Sequence, residues 1–150
     1  DWGLSAMFRD LNGDSAPDLY VCNDFQSPDR IWINDGFGNF QAIPARAIRQ
    51  TSLFSMGVDV ADVNRDGFDD LFIADMLSPD HLRRQVQVMD ETAFSQFRNT
   101  LGDRPQFPRN TLQINRGNQS YFEAAQLAGL DASDWPWCPI FLAEDRKSVA

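Results

Sequence analysis

Two short segments of the 150-residue chain place side-chain oxygens at alternating positions, with a further acid four residues later. The residues at positions 1, 3, 5 and 9 are Asp10, Asn12, Asp14 and Asp18 in the first segment and Asp62, Asn64, Asp66 and Asp70 in the second. Three converging carboxylates repel one another unless a cation lies between them. Calcium is a hard cation that takes about six to eight oxygens. The pattern therefore predicts two calcium sites, each with a backbone carbonyl at position 7, from Ala16 and from Phe68, as a further ligand.

Position 6 must turn each segment sharply. Gly67 occupies it in the second segment, whereas the first has Ser15 there, which makes its turn costlier. Position 12 is Val21 in one segment and Ile73 in the other, within strand-like runs, where an EF-hand needs a bidentate Glu between two helices. The EF-hand is therefore excluded. A metal-free, Asp- and Asn-rich turn between two strands stays open as the alternative.

The two segments belong to an internal repeat with an offset of 52 residues, the distance from Asp10 to Asp62. The match continues into the apolar stretches 20–23 and 72–75. A second shared feature, Asn-x-Gly followed by an aromatic residue, lies at 34–40 and 115–121, and Asn and Gly tolerate the positive φ of a tight hairpin. Each repeat thus predicts a loop between two strands, followed by a hairpin.

The same spacing predicts a third unit near the end of the sequence. From Asn34 to Asp62 is 28 residues, and 28 residues beyond Asn115 lies Ala143. A third loop at 143–148 would have Lys147 at position 5, where an ammonium competes with a cation, so we expect no calcium there. The predicted units of this single domain are repeat 1 at about 1–53, repeat 2 at about 54–134 and a partial repeat 3 at about 135–150.

Repeat 2 is the longer one because it carries an insertion at about 77–109. The sequence at 78–80 suits an N-cap at Ser78, a first helical Pro79 and an acidic first turn. Apolar residues then recur at helical spacing, at Leu82, Val86, Met89 and Ala93. We expect an inserted helix at about 78–100, packed on the outside of a β framework.

The remaining predicted elements are short strands, several of them near-continuously apolar, as in strands buried on both faces. They are Ser5–Phe8, Asp18–Cys22, Arg30–Ile33, Val58–Ala61, Asp70–Ala74, Thr111–Ile114 and Pro139–Leu142. Together they predict an all-β fold with one inserted helix.

The composition limits the partners of the chain. Its formal net charge is −9, from 22 acidic and 13 basic residues, which argues against nucleic acid because phosphates need a basic surface. No apolar run approaches the roughly 20 residues of a transmembrane helix. Cys22 and Cys138 either pair in an oxidising compartment or remain two free thiols.

The loops and strands together resemble the FG-GAP/VCBS repeat family, whose members form β-propellers like the integrin α-subunit head. The stretches 110–117 and 127–137 look like the bacterial branch found beside ASPIC/UnbV domains, similar to cartilage acidic protein. The resemblance implies a partial β-propeller of two blades and part of a third, in which the matching Asp and Asn residues of each loop hold calcium. It also implies remaining blades of a longer parent chain as partners, since two blades cannot close a ring.

The expected function is a calcium-binding extracellular module, secreted, periplasmic or on the cell surface, that presents loops to a protein or glycan while calcium has a structural role. The alternative is a fragment of a secreted carbohydrate-active enzyme, a polysaccharide lyase or hydrolase built on a propeller. No catalytic residue is assigned, because no nucleophile–base set is visible and His81 is expected at the surface. Exposed Trp2, Trp135 and Trp137 would favour glycan stacking, but their place in the repeat favours core packing.

Overall fold

The computed structural model describes residues 2–87 and 104–142. Within these ranges the strands are β1 Gly3–Arg9, β2 Asp18–Asn23, β3 Arg30–Asn34, β4 Phe40–Ala42, β5 Thr51–Ser52, β6 Gly57–Ala61, β7 Asp70–Ala74, β8 Gln106–Phe107, β9 Thr111–Asn115 and β10 Tyr121–Glu123. The helices are α1 His81–Gln87, α2 Ala125–Ala128 and a 3-10 helix at Ala45–Ala47. The predicted all-β fold class is confirmed, and six of the seven predicted strands form within about a residue or two of their expected bounds.

Two four-stranded antiparallel sheets make up the body. Sheet 1 has the order β1-β2-β3-β4, and sheet 2 has the order β6-β7-β9-β10, so each is an up-and-down meander. The acidic segments connect the first two strands of each sheet. The Asn-x-Gly hairpins connect the last two, where Asn34 pairs with Phe40 and Asn115 pairs with Tyr121. A short parallel pair, β5 with β8, lies outside both sheets.

The two sheets pack against each other around one core, and each contributes the opposite face of its repeat to that core. In sheet 1, Tyr20 is fully buried in the shared core, whereas Leu19 beside it is only half-buried. In sheet 2 the burial of the aligned residues is reversed, because Leu71 lies in the core and Phe72 is half-buried outside it. Neighbouring side chains of a strand point to opposite faces. The sheets therefore stack in the same sense, the front of one against the back of the other.

The outer face of sheet 2 is covered in part by residues 137–141. The backbone N–H of Phe141 donates to Asp59 Oδ2 at 2.5 Å, and the Phe141 ring meets Phe72 edge-on, with 6.2 Å between ring centroids. The segment approaches so closely that a Cβ on Gly57 would lie 2.7 Å from the Trp137 carbonyl oxygen. The strand predicted at Pro139–Leu142 is wrong, because Pro139 has no N–H for a strand ladder and Phe141 bonds to a side chain.

The cap of helix α1 differs from the predicted one. Asp80 Oδ1 accepts the backbone N–H of Arg83 at 2.9 Å, so Asp80 is the N-cap and the predicted cap at Ser78 is wrong. The Ser78 hydroxyl instead accepts the Asp80 N–H at 3.2 Å, one turn before the helix. Met89, Ala93 and the rest of the helix expected to about residue 100 lie outside the described residues, as does the third loop at 143–148.

The apolar side of the described part of α1 is exposed, in contrast to the prediction. Leu82 and Val86 are 72% and 87% exposed, so the prediction that they pack on the β framework is wrong. Arg84 is half-buried, and its Nε donates to the Ser78 carbonyl in the segment that leads into the helix. His81 is exposed, as expected. No helix in the described ranges is long and apolar enough to cross a membrane.

Three tryptophans lie outside the interface between the sheets, and the two cysteines are not paired. Trp2, Trp135 and Trp137 are 61%, 58% and 70% exposed, so the expected core packing is wrong. They lie outside the interface of the two sheets, which the core residues of the strands fill. Cys22 and Cys138 are both free. Burial raises the pKa of the Cys22 thiol, which therefore stays protonated and packs as a small apolar group.

The opposite use of the two faces predicts unequal effects of the same substitution at aligned positions. Leu71→Ala should lower the free energy of unfolding by about 2–5 kcal/mol, because it leaves a cavity in the shared core. Leu19→Ala, its matched control 52 residues earlier, should have a clearly smaller effect because Leu19 is only half-buried. Urea unfolding of both variants measures the difference, and equal losses would contradict the stacking described here.

Candidate functional site

The ten predicted ligand residues lie in two exposed loops of equal length. Loop 1 is residues 10–18 and leads from β1 into β2, and loop 2 is residues 62–70 and leads from β6 into β7. The residues at position 9, Asp18 and Asp70, are the first residues of their strands and are fully buried. Those at positions 3 and 5 of loop 2 are exposed. Each loop therefore has a buried acid at its base and more accessible oxygens above it.

The acid at position 1 organises the loop through backbone amides. In loop 1 the Asp10 carboxylate accepts the N–H of Ser15 at 2.8 Å and of Asp14 at 3.2 Å. In loop 2 the Asp62 carboxylate accepts the N–H of Gly67 at 2.9 Å and of Asp66 at 3.0 Å. Positions 5 and 6 donate in both loops, so the two segments repeat each other in structure as well as in sequence.

The asparagine at position 3 bonds twice to the acid at position 5. Asn12 Oδ1 accepts the Asp14 N–H at 3.0 Å, and Asn12 Nδ2 donates to Asp14 Oδ2 at 2.8 Å. Asn64 and Asp66 make the same pair of bonds, at 3.0 and 2.8 Å. The acid at position 5 also accepts the N–H of position 7, which is Ala16 in loop 1. The amide thus supplies the partial positive charge that faces the position 5 carboxylate.

The backbone turns at two positions with positive φ. Gly13 and Ser15, at positions 4 and 6 of loop 1, have φ of 82° and 68°, and Arg65 and Gly67 in loop 2 have φ of 63° and 90°. Each loop therefore has one glycine and one side-chain-bearing residue in the left-handed region, in opposite order. The strain expected at Ser15 has a counterpart at Arg65, which sequence reasoning missed because only position 6 was considered.

Burial and mutual repulsion act on the acids at the base of the loops. Burial raises the pKa of Asp18, two backbone N–H groups oppose this, and the neighbouring carboxylates of Asp14 and Asp10 raise it further. Asp70 has a raised pKa from the same causes, with Asp66 and Asp62 as its neighbours. Each loop therefore concentrates negative charge that its own amides only partly compensate.

The donor chemistry of the loops fits a hard cation, although their carboxylates are not drawn together. In the described part of the chain, no group of three or more acidic, His or Cys side chains is arranged to hold a metal ion. The hydrogen bonds described above leave roughly half of the four or so acceptor sites of each carboxylate unused. Carboxylate, amide and carbonyl oxygens are the ligands that calcium takes, so the residues present suit this ion in kind.

The two loops lie side by side across an open cleft of about 430 Å³, lined by Arg9, Asp10, Gly13, Gly67, Phe68 and Asp69. Arg9 Nε donates to Asp69 Oδ2 at 2.5 Å, and this ion pair joins the end of β1 to loop 2. The Phe68 ring lies against the hairpin of its own sheet and 3.9 Å from where a Cβ on Gly13 would be. The candidate sites are therefore neighbours.

Sequence reasoning missed the role of the hairpin asparagines. It used Asn34 and Asn115 as turn residues with positive φ, but the positive φ values belong to the glycines Gly36 and Gly117, among others. Both asparagines are buried, and their backbone N–H groups donate to the acids at the base of loops 1 and 2, at 2.9 and 2.8 Å. Their recurrence at the same place in both hairpins was the signal for a function beyond the turn.

A second pair of acids lies between the sheets, away from the loops. Asp29 is fully buried and accepts hydrogen bonds from the Tyr20 hydroxyl at 2.7 Å, the Ser55 hydroxyl at 2.8 Å and the Asn23 N–H at 2.8 Å. Burial raises its pKa to about 7, against these donors, and the charge of Asp75 raises it further. Asp75 is equally buried. Neither carboxylate reaches solvent, so the two do not form an accessible catalytic pair.

Comparison with known proteins supports the loop and strand pattern. Residues 10–73 match the family model described as FG-GAP-like repeat. The matched range runs from the first acid of loop 1 to the strand after loop 2, so this part of the chain is similar to an FG-GAP-like repeat. Such repeats form β-propeller blades and are typical of extracellular modules. No curated protein and no solved structure matches the chain.

The backbone of the loops predicts opposite effects of glycine at position 6. Ser15→Gly should raise the free energy of unfolding by about 0.5–1 kcal/mol, because glycine adopts positive φ without strain. This gain is larger than the cost of the greater conformational freedom that glycine has in the unfolded chain. Gly67→Ala should lower it by about 1 kcal/mol, for conformational reasons alone, since no atom lies within 4 Å of the added Cβ. Chemical unfolding measures both, and a shared sign would contradict the strain described.

The buried Asp29 predicts a stability that falls as the pH rises. Because its folded pKa is raised above the unfolded value, its contribution is fully present below about pH 4 and is lost as the pH rises through about 7. Asp29→Asn keeps the neutral form at every pH, so this loss, about 2–4 kcal/mol, should disappear. Asp35→Asn is the control, because hydrogen bonds lower the pKa of this exposed acid, so Asp35 does not contribute a stability that falls as the pH rises. Thermal melts from pH 4 to 8 would contradict the assignment if Asp29→Asn kept the original slope.

Proposed function

We propose that the chain is a calcium-stabilised module in which loops 1 and 2 each bind one calcium ion. The observation that carries the proposal is the repeated geometry of the loops. In both, the acid at position 1 receives the amides of positions 5 and 6, the asparagine at position 3 faces the acid at position 5, and an acid lies buried at position 9. A turn needs far fewer carboxylates than this arrangement holds.

The ligand residues come from one loop each. They are Asp10, Asn12, Asp14, the carbonyl of Ala16 and Asp18 in loop 1, and Asp62, Asn64, Asp66, the carbonyl of Phe68 and Asp70 in loop 2. A bound calcium ion supplies the positive charge that three neighbouring carboxylates need. The asparagine amide that donates to position 5 is the contact that such a charge would replace. An ion that binds the folded chain and not the unfolded chain raises the free energy of unfolding.

The surroundings that suit such sites are rich in calcium. Extracellular modules bind calcium at about 10⁻⁴–10⁻³ M, which the cytosol does not provide. We therefore propose that the module belongs to a secreted, periplasmic or cell-surface protein. The resemblance of stretches 110–117 and 127–137 supports the further proposal that this protein is of the bacterial branch found beside ASPIC/UnbV domains, with further blades of a longer parent chain as the module's neighbours. Its ligand is a protein or glycan, and the exposed rings of Trp2, Trp135 and Trp137 suit stacking against sugars. The alternative is a carbohydrate-active enzyme, which Asp29 and Asp75 do not support because neither carboxylate reaches solvent.

Calcium titration tests the proposal directly. Calorimetry should show two sites, and a chelator should lower the melting temperature because it restores the repulsion among the loop acids. Asp10→Ala and Asp62→Ala should each remove one site. Asp35→Ala, which removes an exposed acid in the β3–β4 hairpin, is the control and should keep both. A folded sample that shows neither heat nor a chelator shift would leave two metal-free turns and overturn the proposal.

A further inference from the structure

One buried side chain, Asn115, joins the two loops. Its backbone N–H donates to Asp70 Oδ1 in loop 2 at 2.8 Å, and its Nδ2 donates to the Asp69 carbonyl of the same loop at 3.2 Å. The same Nδ2 also donates to the Leu11 carbonyl of loop 1 at 2.8 Å. Leu11 in turn donates its backbone N–H to Asp18 Oδ2 at 2.9 Å. An unbroken path of hydrogen bonds therefore runs from the base acid of one loop to that of the other.

An apolar contact runs beside this path. The Phe68 ring lies so close to Gly117 that a Cβ there would be 2.5 Å from a ring atom, and the ring also reaches Gly13 of loop 1. Phe68 is the position 7 residue of loop 2, whose carbonyl is a proposed ligand. Phe68 therefore provides a second contact between loop 2 and loop 1.

The equivalent residue of sheet 1 provides a contrast. Asn34 donates its backbone N–H to Asp18 at 2.9 Å and its Nδ2 to the Pro17 carbonyl at 3.1 Å, both in loop 1. Its Oδ1 accepts amides of its own hairpin, at Gly36 and Gly38. The hydrogen bonds of Asn34 in the described residues thus stay within its own repeat. Asn115 makes equivalent bonds within its own repeat and a further one, to the Leu11 carbonyl, that crosses between repeats.

We infer that the two loops bind calcium cooperatively and that Asn115 couples them, an inference that rests on the proposed function. When loop 1 is ordered, the Leu11 carbonyl holds the Asn115 amide, and the Asn115 backbone N–H then holds Asp70 in place. The second loop is ordered in advance and loses less conformational freedom on binding. The coupling is reciprocal, because each site must favour the other by the same factor.

A comparison of binding constants measures this factor. Asp14→Ala leaves loop 2 as the single site, and Asp66→Ala leaves loop 1. Without coupling, the product of the two macroscopic association constants of the unaltered chain equals the product of these two single-site constants. We expect it to be larger by about fivefold or more, as measured by calcium calorimetry on chains whose melting curves show that they are folded.

Side-chain deletions then assign the coupling. Asn115→Ala removes the link to Leu11 but keeps the backbone bond to Asp70 and the Phe68 contact, and should lower the factor toward one. Asn34→Ala removes the matching side chain from the other hairpin and should leave the factor unchanged. Should Asn115→Ala not fold, Phe68→Ala replaces it, since it gives loop 2 the residue that loop 1 has at Ala16, and should reduce the factor.

Each other outcome counts against a different statement. Two sites with a factor of about one in the unaltered chain would overturn the coupling and leave the calcium sites standing. A factor that survives in Asn115→Ala, or that is lost equally in Asn34→Ala, would overturn the assignment to Asn115. If calorimetry detected no heat of calcium binding to folded chains, both the proposed function and the coupling would be overturned.

Discussion

A buried carboxylate at the first residue of the second strand holds each sheet together at its loop end. Asp70 accepts the N–H of Val63 from the loop and of Asn115 from the hairpin, and Asp18 accepts those of Leu11 and Asn34. A buried carboxylate without such partners is very costly. The loop, the strand and the hairpin must therefore all be in position for the acid to be hydrogen-bonded. The buried acid thereby fixes the positions of the more accessible oxygens of the loop.

The features that the sequence predicts well are those with local causes. The loops, the hairpins and six strands follow from the spacing of acids, from glycines and from apolar runs, each of which acts over a few residues. The face that a strand buries has no local cause, since Leu19 and Leu71 are the same residue at aligned positions and differ in burial. The link made by Asn115 escapes for the same reason, because its partner at Leu11 lies 104 residues away in the chain. The positions of the loop acids could be read from the sequence, whereas the hydrogen-bonded link between the two loops could not.

Two of the wrong expectations, about the apolar face of helix α1 and about the tryptophans, share the assumption that apolar residues in a regular pattern are buried. Leu82 and Val86 have helical spacing, and Trp2 and Trp135 occupy matching places in the repeat, yet all four are exposed. Periodicity shows that side chains share a face but does not supply a surface to cover it. In contrast, the polar residues between the sheets, such as Asp29 and Asp75, are sealed and hydrogen-bonded. Which side chains are buried in this protein depends on which surfaces pack together as much as on hydropathy.

The stacking of the front of sheet 1 on the back of sheet 2 gives the pair a direction. An interface of two unlike faces is not self-complementary, so it does not produce a closed two-fold pair. It repeats by rotation in one sense, and any copy of the unit finds its complementary face already present. Duplication of a stretch of about 52 residues, the offset between Asp10 and Asp62, would therefore lengthen the array without requiring a new interface to evolve.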